Sequence, residues 1–253
     1  MSLDGPALAV TLLTVIPVRR QVSPDRRTAG TAMLWAPAVG LLLGAIASLV
    51  LYAVGRFEGP LAGAAVAVAV LAALTRGLHL DGLADLADGL GSGRPADEAL
   101  EIMRKSDIGP FGVATLVLTL LIQVAALARA GSGHRGAAAL IAAVVTGRLA
   151  VTWACRSGVV PARGSGLGVM VAQTVRPVAA ATLTAVVAAA SIGLAAGGVV
   201  AWTVPAGVGC GLLAAWLLRR HAVRRLGGIT GDVLGALCET AATICLLVAA
   251  ARW

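Results

Sequence analysis

Three aspartates share one face of a predicted helix and are the strongest candidates for chemistry. The stretch LHLDGLADLADGLGSG, residues 78–93, places Asp81, Asp85 and Asp88 at positions i, i+4 and i+7. At 100° per residue, these carboxylates lie within an arc of roughly 60°. Because neighbouring carboxylates repel one another, a cation is expected there, and their hard oxygens suit Mg²⁺, Mn²⁺ or Ca²⁺. The alternative is a solvated acidic helix end that pairs with nearby arginines.

A second polar stretch, MRKSDIGPFG at residues 103–112, follows the acidic helix. Arg104, Lys105 and Ser106 are candidate substrate contacts, because cations at this position can hold phosphate oxygens. Asp107 is a candidate metal ligand or general base. The alternative is that Ser106 or Asp107 caps the next helix, while the two cations only anchor the protein at a membrane surface.

A third stretch, GGITGDVLGA at residues 227–236, introduces an acid from a distant part of the chain. Asp232 either caps the last apolar helix or contributes a carboxylate to a site shared with the first cluster. Glu239 follows seven residues later on the same face, inside apolar sequence, and Arg148 lies at a comparable depth in another apolar segment. A charge near the bilayer centre costs about 2.5–3.5 kcal/mol, so the two residues could offset one another as a buried pair.

Two further features are open to both functional and structural interpretations. The glycine-rich loop PARGSGLGVM, residues 161–170, carries Arg163 and could cradle a phosphate, or it could be a plain loop. His79 directly precedes the acidic cluster, but a lone histidine is more often structural than a metal ligand.

The composition shows which elements must position these residues. The 253 residues are 58% apolar and 13% charged, with a mean hydropathy of +0.91. Soluble domains carry about 25% charged residues, so a water-soluble globule and a disordered chain are both excluded. The sequence predicts an all-α, polytopic membrane bundle in a single domain over residues 1–253, with a short interfacial helix near residue 97. Seven apolar runs are long enough to span: 34–55, 60–80, 108–130, 136–157, 178–197, 199–218 and 232–251.

The distribution of basic residues predicts the orientation of this bundle. Of the 20 Lys and Arg residues, 15 fall on the side of the N-terminus, four fall on the opposite side, and Arg148 lies inside a span. The positive-inside rule therefore places the N-terminus in the cytoplasm, and the acidic cluster on the same side. We expect a multi-pass protein of the plasma (inner) membrane whose active site faces the cytoplasm, with no nucleic-acid partner. The sequence is compatible with a homo-oligomer.

The chain resembles the cobalamin synthase family, whose members are also called adenosylcobinamide-GDP ribazoletransferases. Four stretches carry the resemblance, and their order and spacing fit along the whole chain: LLTVIPV at 12–18 and the stretches at 78–93, 103–112 and 227–236. Family members often have Arg where Val15 stands here. The resemblance implies a membrane enzyme that joins adenosylcobinamide-GDP to α-ribazole or its 5′-phosphate, giving adenosylcobalamin or its phosphate and GMP, with Mg²⁺ required.

The resemblance also implies roles for the candidate residues. The predicted metal ligands are Asp81, Asp85, Asp88 and Asp232. Together with Asp107, they are also the predicted catalytic residues. Substrate binding falls to six residues: Arg104, Lys105, Ser106, Arg148, Arg163 and Glu239. In-line phosphoryl transfer needs charge neutralisation and positioning, which carboxylate-bound metal and nearby cations provide.

Two other functions are weighed against this one. A CDP-alcohol phosphotransferase acting on lipid also uses an Asp- and Gly-rich helix with metal, but the downstream Gly-xxx-Asp-xxx-Asp of that pattern is missing here. A cation-coupled transporter would place its acids near the middle of the membrane in paired repeats. The acids of this chain instead cluster at one end of the predicted spans.

Overall fold

The computed structural model describes residues 3–19, 22 and 25–251, and within them the chain folds as an all-α bundle. The prediction of an all-α membrane fold is confirmed. The eleven helices of the described part are α1 (Asp4–Leu13), α2 (Arg26–Glu58), α3 (Pro60–Leu74), α4 (Leu78–Gly91), α5 (Ala96–Ile102), α6 (Pro110–Ala130), α7 (His134–Ala154), α8 (Leu167–Val171), α9 (Pro177–Ala196), α10 (Thr203–Leu226) and α11 (Gly231–Ala249).

Five of these helices are long and apolar enough to cross a membrane: α2, α6, α7, α9 and α11. The bent pair of α3 and α4 would raise the number to six if it formed one broken span. The protein is therefore multi-pass, but two of the seven predicted spans differ from the expectation. The apolar part of α10 covers only the 16 residues from Thr203 to Leu218 before Arg219 and Arg220, and α3 has only 15 residues.

The predicted span over residues 60–80 is broken where α3 ends. Arg76 and Gly77 both have positive φ angles, of 55° and 67°, which reverses the local helical sense and ends the hydrogen-bonded ladder. The chain then turns by 89° into α4. If α3 crosses the membrane, α4 must run along the end of the bundle. The break thus explains how a helix with three aspartates leaves the apolar layer.

The centre of the bundle is formed by α7 and α11. The most apolar windows of these two helices are 72% and 61% buried, against 17% for α6 and for α9. Small residues allow the close approach: a Cβ on Gly147 of α7 would lie 2.7 Å from the carbonyl oxygen of Cys238 in α11. The two most enclosed helices therefore carry Arg148 and Asp232, while α6 and α9 present most of their surface to lipid.

Outside the spans, the short helices agree in part with the prediction. The expected interfacial helix is α5, although Pro95 is its N-cap and not its first residue. The N-terminal apolar segment forms α1, which is too short to span and contacts α2. The helix α8, inside the glycine-rich loop, was not predicted.

Cysteine labelling should establish the orientation of the bundle. In a Cys210→Ala background, which removes the exposed native thiol, Gly133→Cys between α6 and α7 should react with a membrane-impermeant maleimide added outside. Asp97→Cys on α5 should react only after the membrane is opened, because the positive-inside asymmetry predicts that α5 faces the cytoplasm. Both sites are exposed. Labelling of position 97 but not of position 133 in intact cells would reverse the predicted orientation.

Candidate functional site

The site is built where α4 crosses the N-terminal turn of α11. A Cβ placed on Gly82 would lie 2.8 Å from the backbone oxygen of Asp232, and one on Gly235 would lie 3.0 Å from the backbone oxygen of His79. Larger side chains at these two glycines would hold the helices apart. Their absence brings the acidic face of α4 against Asp232, as expected for an acid supplied by a second helix.

Asp81, Asp85 and Asp232 form a group of carboxylates with an excess of negative charge. Asp81 is exposed and Asp85 is half-buried, and the charge of Asp81 acts on both Asp85 and Asp232. Burial and repulsion from Asp81 and Asp232 raise the pKa of the Asp85 carboxyl, on α4 outside the five spanning helices, to about 7. Arg163 is the cation that opposes this effect. The described group thus holds more negative charge than its one arginine balances.

Asp88 is buried and forms the N-terminal cap of α6. Its two carboxylate oxygens accept hydrogen bonds from the backbone N–H groups of Gly109 at 2.7 Å and Gly112 at 2.9 Å. The N-cap residue of α6 is Gly109, which offers no side chain, so the alternative interpretation in which Ser106 or Asp107 caps this helix was wrong. The cap comes instead from Asp88 of α4, because the turn between α5 and α6 folds back onto this carboxylate. The local sequence around α6 does not reveal this contact.

Asp88→Asn should lower the stability of the protein as well as its activity. An amide has one acceptor oxygen, so one of the two backbone N–H groups would lose its partner, at a cost of about 1–3 kcal/mol. Thermal unfolding in detergent should show a lower Tm for this variant. Asp97→Asn, at an exposed acid on α5, is the matched control and should leave the Tm unchanged. An unaltered Tm for Asp88→Asn would contradict the capping role.

Asp232 is not the cap of α11, which corrects one of its two predicted roles. The N-cap is Thr230, whose hydroxyl accepts a hydrogen bond from the N–H of Val233 at 3.2 Å. The same hydroxyl donates to Oδ2 of Asp232 at 3.2 Å. Asp232 is therefore free of the capping role, and its carboxylate points to a different partner.

That partner is Arg163, from the glycine-rich loop. An Nη of Arg163 lies 3.3 Å from Oδ2 of Asp232, and the other Nη donates to the backbone oxygen of Leu100 at 2.8 Å. The loop is held in place by backbone hydrogen bonds between residues 160–162 and Ile229. Arg26 at the start of α2 also donates to the backbone oxygens of Val169 and Ala172 in this region. The loop is thus tied to α2, α5 and α11 at once.

A cavity of about 310 Å³ opens beside this group. Asp81, Asp232 and Arg163 line it together with residues 165–169 and 229–231, which include three glycines. One wall is apolar and includes Met33 and Leu234. The cavity therefore combines carboxylates, one cation and glycine-rich backbone, which is the composition expected for a site that binds a phosphate and a metal ion.

The basic residues of the second motif lie apart from this cavity wall. Arg104, Lys105, Ser106 and Asp107 are exposed on the turn between α5 and α6. Met103, just before them, packs against Gly89 of α4. The turn is therefore anchored next to the acidic helix, with its charged groups directed to solvent.

Arg148 and Glu239 lie in the interior of the bundle, away from Asp232. Seven residues of helix place Glu239 about 10 Å along α11 from Asp232. The Nε2 of Gln123 donates to Glu239 and to Thr243, each at 2.9 Å. Arg148 and Glu239 line the same small cavity of about 40 Å³, but among the described residues they form no ion pair within 4 Å. The predicted neighbourhood is confirmed, whereas a direct pair is not.

Two residues that hold candidate residues in place, Gln123 and Arg26, were missed in the sequence. Gln123 holds Glu239, and Arg26 holds the glycine-rich loop, but each partner is more than 100 positions away. His79 is buried with an unpartnered Nδ1, and its ligand atoms lie within 4.8 Å of those of Cys238 and Glu239. An isolated glutamine inside an apolar run was the one available signal, because a buried amide requires a partner.

Gly82→Ala should separate α4 from α11. The new Cβ would meet backbone atoms of Asp232 at 2.8–2.9 Å, which cannot move as a flexible side chain would. Although alanine favours helices by about 1 kcal/mol over glycine, we expect a lower Tm and a large loss of activity. Gly209→Ala on α10 is the control, because its Cβ would meet nothing within 4 Å. A Gly82→Ala protein as stable and active as this control would show that the close approach is unimportant.

Comparison with known proteins adds an independent observation. The family model described as cobalamin-5-phosphate synthase matches residues 5–250. A protein of Frankia casuarinae named adenosylcobinamide-GDP ribazoletransferase is 47% identical, over 96% of this chain and 92% of its own length. Proteins with the same name from a Nocardioides species and from Bradyrhizobium diazoefficiens are 40% and 38% identical, over 98% and 96% of this chain and 99% and 92% of their own lengths. No solved structure matches the chain.

Proposed function

The chain belongs to the cobalamin-5-phosphate synthase family, and from this premise we propose that it is an adenosylcobinamide-GDP ribazoletransferase. The enzyme would join adenosylcobinamide-GDP to α-ribazole or its 5′-phosphate and release GMP. Two findings support the proposal: relatives that carry this name match along nearly the whole length, and the helices form a multi-pass membrane protein.

The observation that carries the proposal is the convergence of acids from two helices on one cavity. Asp81 of α4 and Asp232 of α11 line it, Asp85 lies next to them, and Arg163 reaches in from the glycine-rich loop. Transfer of a phosphoryl group from one substrate to a hydroxyl of another requires ligands from more than one direction, because the attacking and leaving oxygens must be held in line. A simple acidic surface would not need the close approach at Gly82.

The donor chemistry of this group fits Mg²⁺. Carboxylate oxygens are the hard ligands that Mg²⁺ prefers, and the group carries more negative charge than Arg163 balances. Asp81, Asp85 and Asp232 would hold the ion. Asp88 was also predicted as a ligand, but its oxygens already accept two backbone hydrogen bonds, so it is the least available of the four. Bound Mg²⁺ would neutralise charge on the phosphates.

The residues of the chain would then perform the remaining tasks. A hydroxyl of the ribazole attacks the phosphorus attached to cobinamide, the P–O bond to GMP breaks, and the hydroxyl proton passes to a carboxylate or to water. Asp232 is the best-placed acceptor, because it lines the cavity and is not used as a cap. Arg163 would hold a phosphate oxygen when its contact with Asp232 is exchanged for one with substrate.

The other predicted residues would act at the edge of the site. Arg104, Lys105 and Ser106 are exposed beside the acidic helix, where they can attract the nucleotide phosphates of an entering substrate. Asp107, on the same turn, would act as a supporting acid. Arg148 and Glu239 lie deeper and would support the bundle under the cavity. We place the site on the cytoplasmic face of the plasma membrane, because the basic residues concentrate on that side.

The direct test is release of GMP by the purified protein. The detergent-solubilised enzyme should form GMP and a cobalamin product from adenosylcobinamide-GDP and α-ribazole when Mg²⁺ is present. EDTA should stop the reaction, and added Mg²⁺ should restore it. A reaction of CDP-alcohol with lipid substrates, in place of GMP release, would support the alternative phosphotransferase. Failure to form GMP with active controls would contradict the proposal.

A further inference from the structure

A second cavity lies on another side of the bundle, between α7, α9, α10 and α11. It has a volume of about 460 Å³, and its walls include Leu212, Leu213 and Leu237. Most of its lining comes from α7 and α10, and the peripheral helix α9, whose most apolar window is only 17% buried, contributes Thr184. The cavity is therefore a largely apolar cleft near the periphery of the bundle.

Two arginines line this apolar cleft, and neither forms an ion pair with an acidic residue in the part of the chain that the structure describes. Arg156, just past the end of α7, and Arg219, just past the apolar part of α10, both line it. Arg156 donates one hydrogen bond to the backbone oxygen of Ser157 at 3.1 Å. Burial and, to a lesser extent, the nearby charge of Arg156 lower the pKa of the Arg219 guanidinium. Two cations held together in this way favour an anion between them.

Two tryptophans mark the level of the cleft in the membrane. Trp153 lines it and donates from Nε1 to Thr184 of α9 at 2.8 Å, which holds the peripheral helix to α7. Trp216 also lines it, is 44% exposed, and carries the guanidinium of Arg220 at 5.5 Å from its ring centroid. Tryptophan prefers the boundary between lipid headgroups and acyl chains. The two arginines therefore lie at the depth of lipid phosphates.

We propose that this cleft binds an anionic phospholipid. Its phosphate would lie between Arg156 and Arg219, and an acyl chain would fill the apolar part lined by Leu212, Leu213 and Leu237. The combination is specific for a lipid, because a free phosphate would use the arginines but leave the leucine-lined cavity empty. The site is separate from the acidic cavity, since no residue lines both, and it does not depend on the proposed reaction.

Quenching of tryptophan fluorescence by brominated lipids tests the proposal on the intact protein. In phosphatidylcholine vesicles, brominated phosphatidylglycerol should quench more strongly than brominated phosphatidylcholine at the same mole fraction. Because each arginine near a lipid phosphate contributes to the attraction, we expect the cleft to bind phosphatidylglycerol about tenfold or more in preference to phosphatidylcholine. Trp153→Phe combined with Trp216→Phe should remove this excess quenching, and high salt should reduce it in the unmodified protein.

Charge variants provide the matched comparison. Arg156→Gln combined with Arg219→Gln should bring the preference close to one. Arg224→Gln changes an exposed arginine near the end of α10, the helix that carries Arg219, and should retain the preference for phosphatidylglycerol. Equal quenching by the two lipids in the unmodified protein would overturn the proposal. Loss of the excess upon addition of inorganic phosphate or glycerol 3-phosphate, but not of sodium chloride at the same ionic strength, would do the same, because it would assign the arginines to a soluble anion.

Discussion

Replacing Asp85 by asparagine should lower the rate of GMP release by about 10²- to 10⁴-fold while the protein stays folded. Asparagine keeps the shape of the side chain but removes the charge that would bind Mg²⁺. Asp85 is half-buried beside Asp81 and Asp232, so removing one of three mutually repelling carboxylates should not destabilise the metal-free protein. Initial rates at saturating Mg²⁺, together with the Tm in EDTA, are the measurements needed.

Asp81→Asn should behave in the same way, because Asp81 lines the cavity from the same helix. Asp97→Asn, an exposed acid on the neighbouring helix α5, should retain full activity. Comparing Asp81→Asn and Asp85→Asn with Asp97→Asn shows whether activity depends on carboxylates at a metal site or only on the overall acidity of the surface. If both Asp81→Asn and Asp85→Asn turned over normally at saturating Mg²⁺, the acidic face of α4 would have no catalytic role.

Asp232→Ser should lose at least about a hundredfold in activity with little change in stability. Serine would be a good replacement if Asp232 capped α11, since serine and aspartate cap helices about equally well. The structure gives the cap to Thr230, so the capping contribution should remain intact in this variant. A neutral hydroxyl can neither balance the charge of a metal ion nor accept the proton of the nucleophile.

Thr230→Ala is the complementary variant for this prediction. It removes the cap and should cost about 0.5–2 kcal/mol of stability, while the acid that lines the cavity remains in place. Asp232→Ser should therefore lower turnover but not the Tm, whereas Thr230→Ala should lower the Tm but not turnover. An active Asp232→Ser protein would leave Asp81 and Asp85 without a partner from α11, and the proposed site would have to be rebuilt around Arg163.

The residues that converge on the cavity were largely predictable from the sequence. The spacing of Asp81 and Asp85 specifies one helix face, and this information is local. Asp232 was found because its glycine-rich surroundings and its position at the start of an apolar run place it at the same end of the bundle. The family resemblance covers the same motifs, and the matched family model extends it over residues 5–250.

The roles of individual side chains were less predictable, because they depend on contacts between distant parts of the chain. Asp88 repeats the spacing of the other acids, yet it caps a helix that begins 22 residues later. Hydropathy predicted one span over residues 60–80, because it cannot register the two positive φ angles at Arg76 and Gly77. The pairing of Arg163 with Asp232 joins residues 69 positions apart.

The length of α2 has a consequence for the position of the glycine-rich loop. With 33 residues, the helix is about 50 Å long, whereas the hydrocarbon layer is about 30 Å thick. Even a tilt of about 40°, the upper end for spanning helices, would leave more than a turn of it outside the lipid. Arg26, the first residue of this helix, donates to the backbone oxygens of Val169 in the glycine-rich loop and of Ala172 just after it. One continuous helix therefore joins the apolar core of the bundle to the loop that carries Arg163, so the position of this loop is coupled directly to that of a spanning helix.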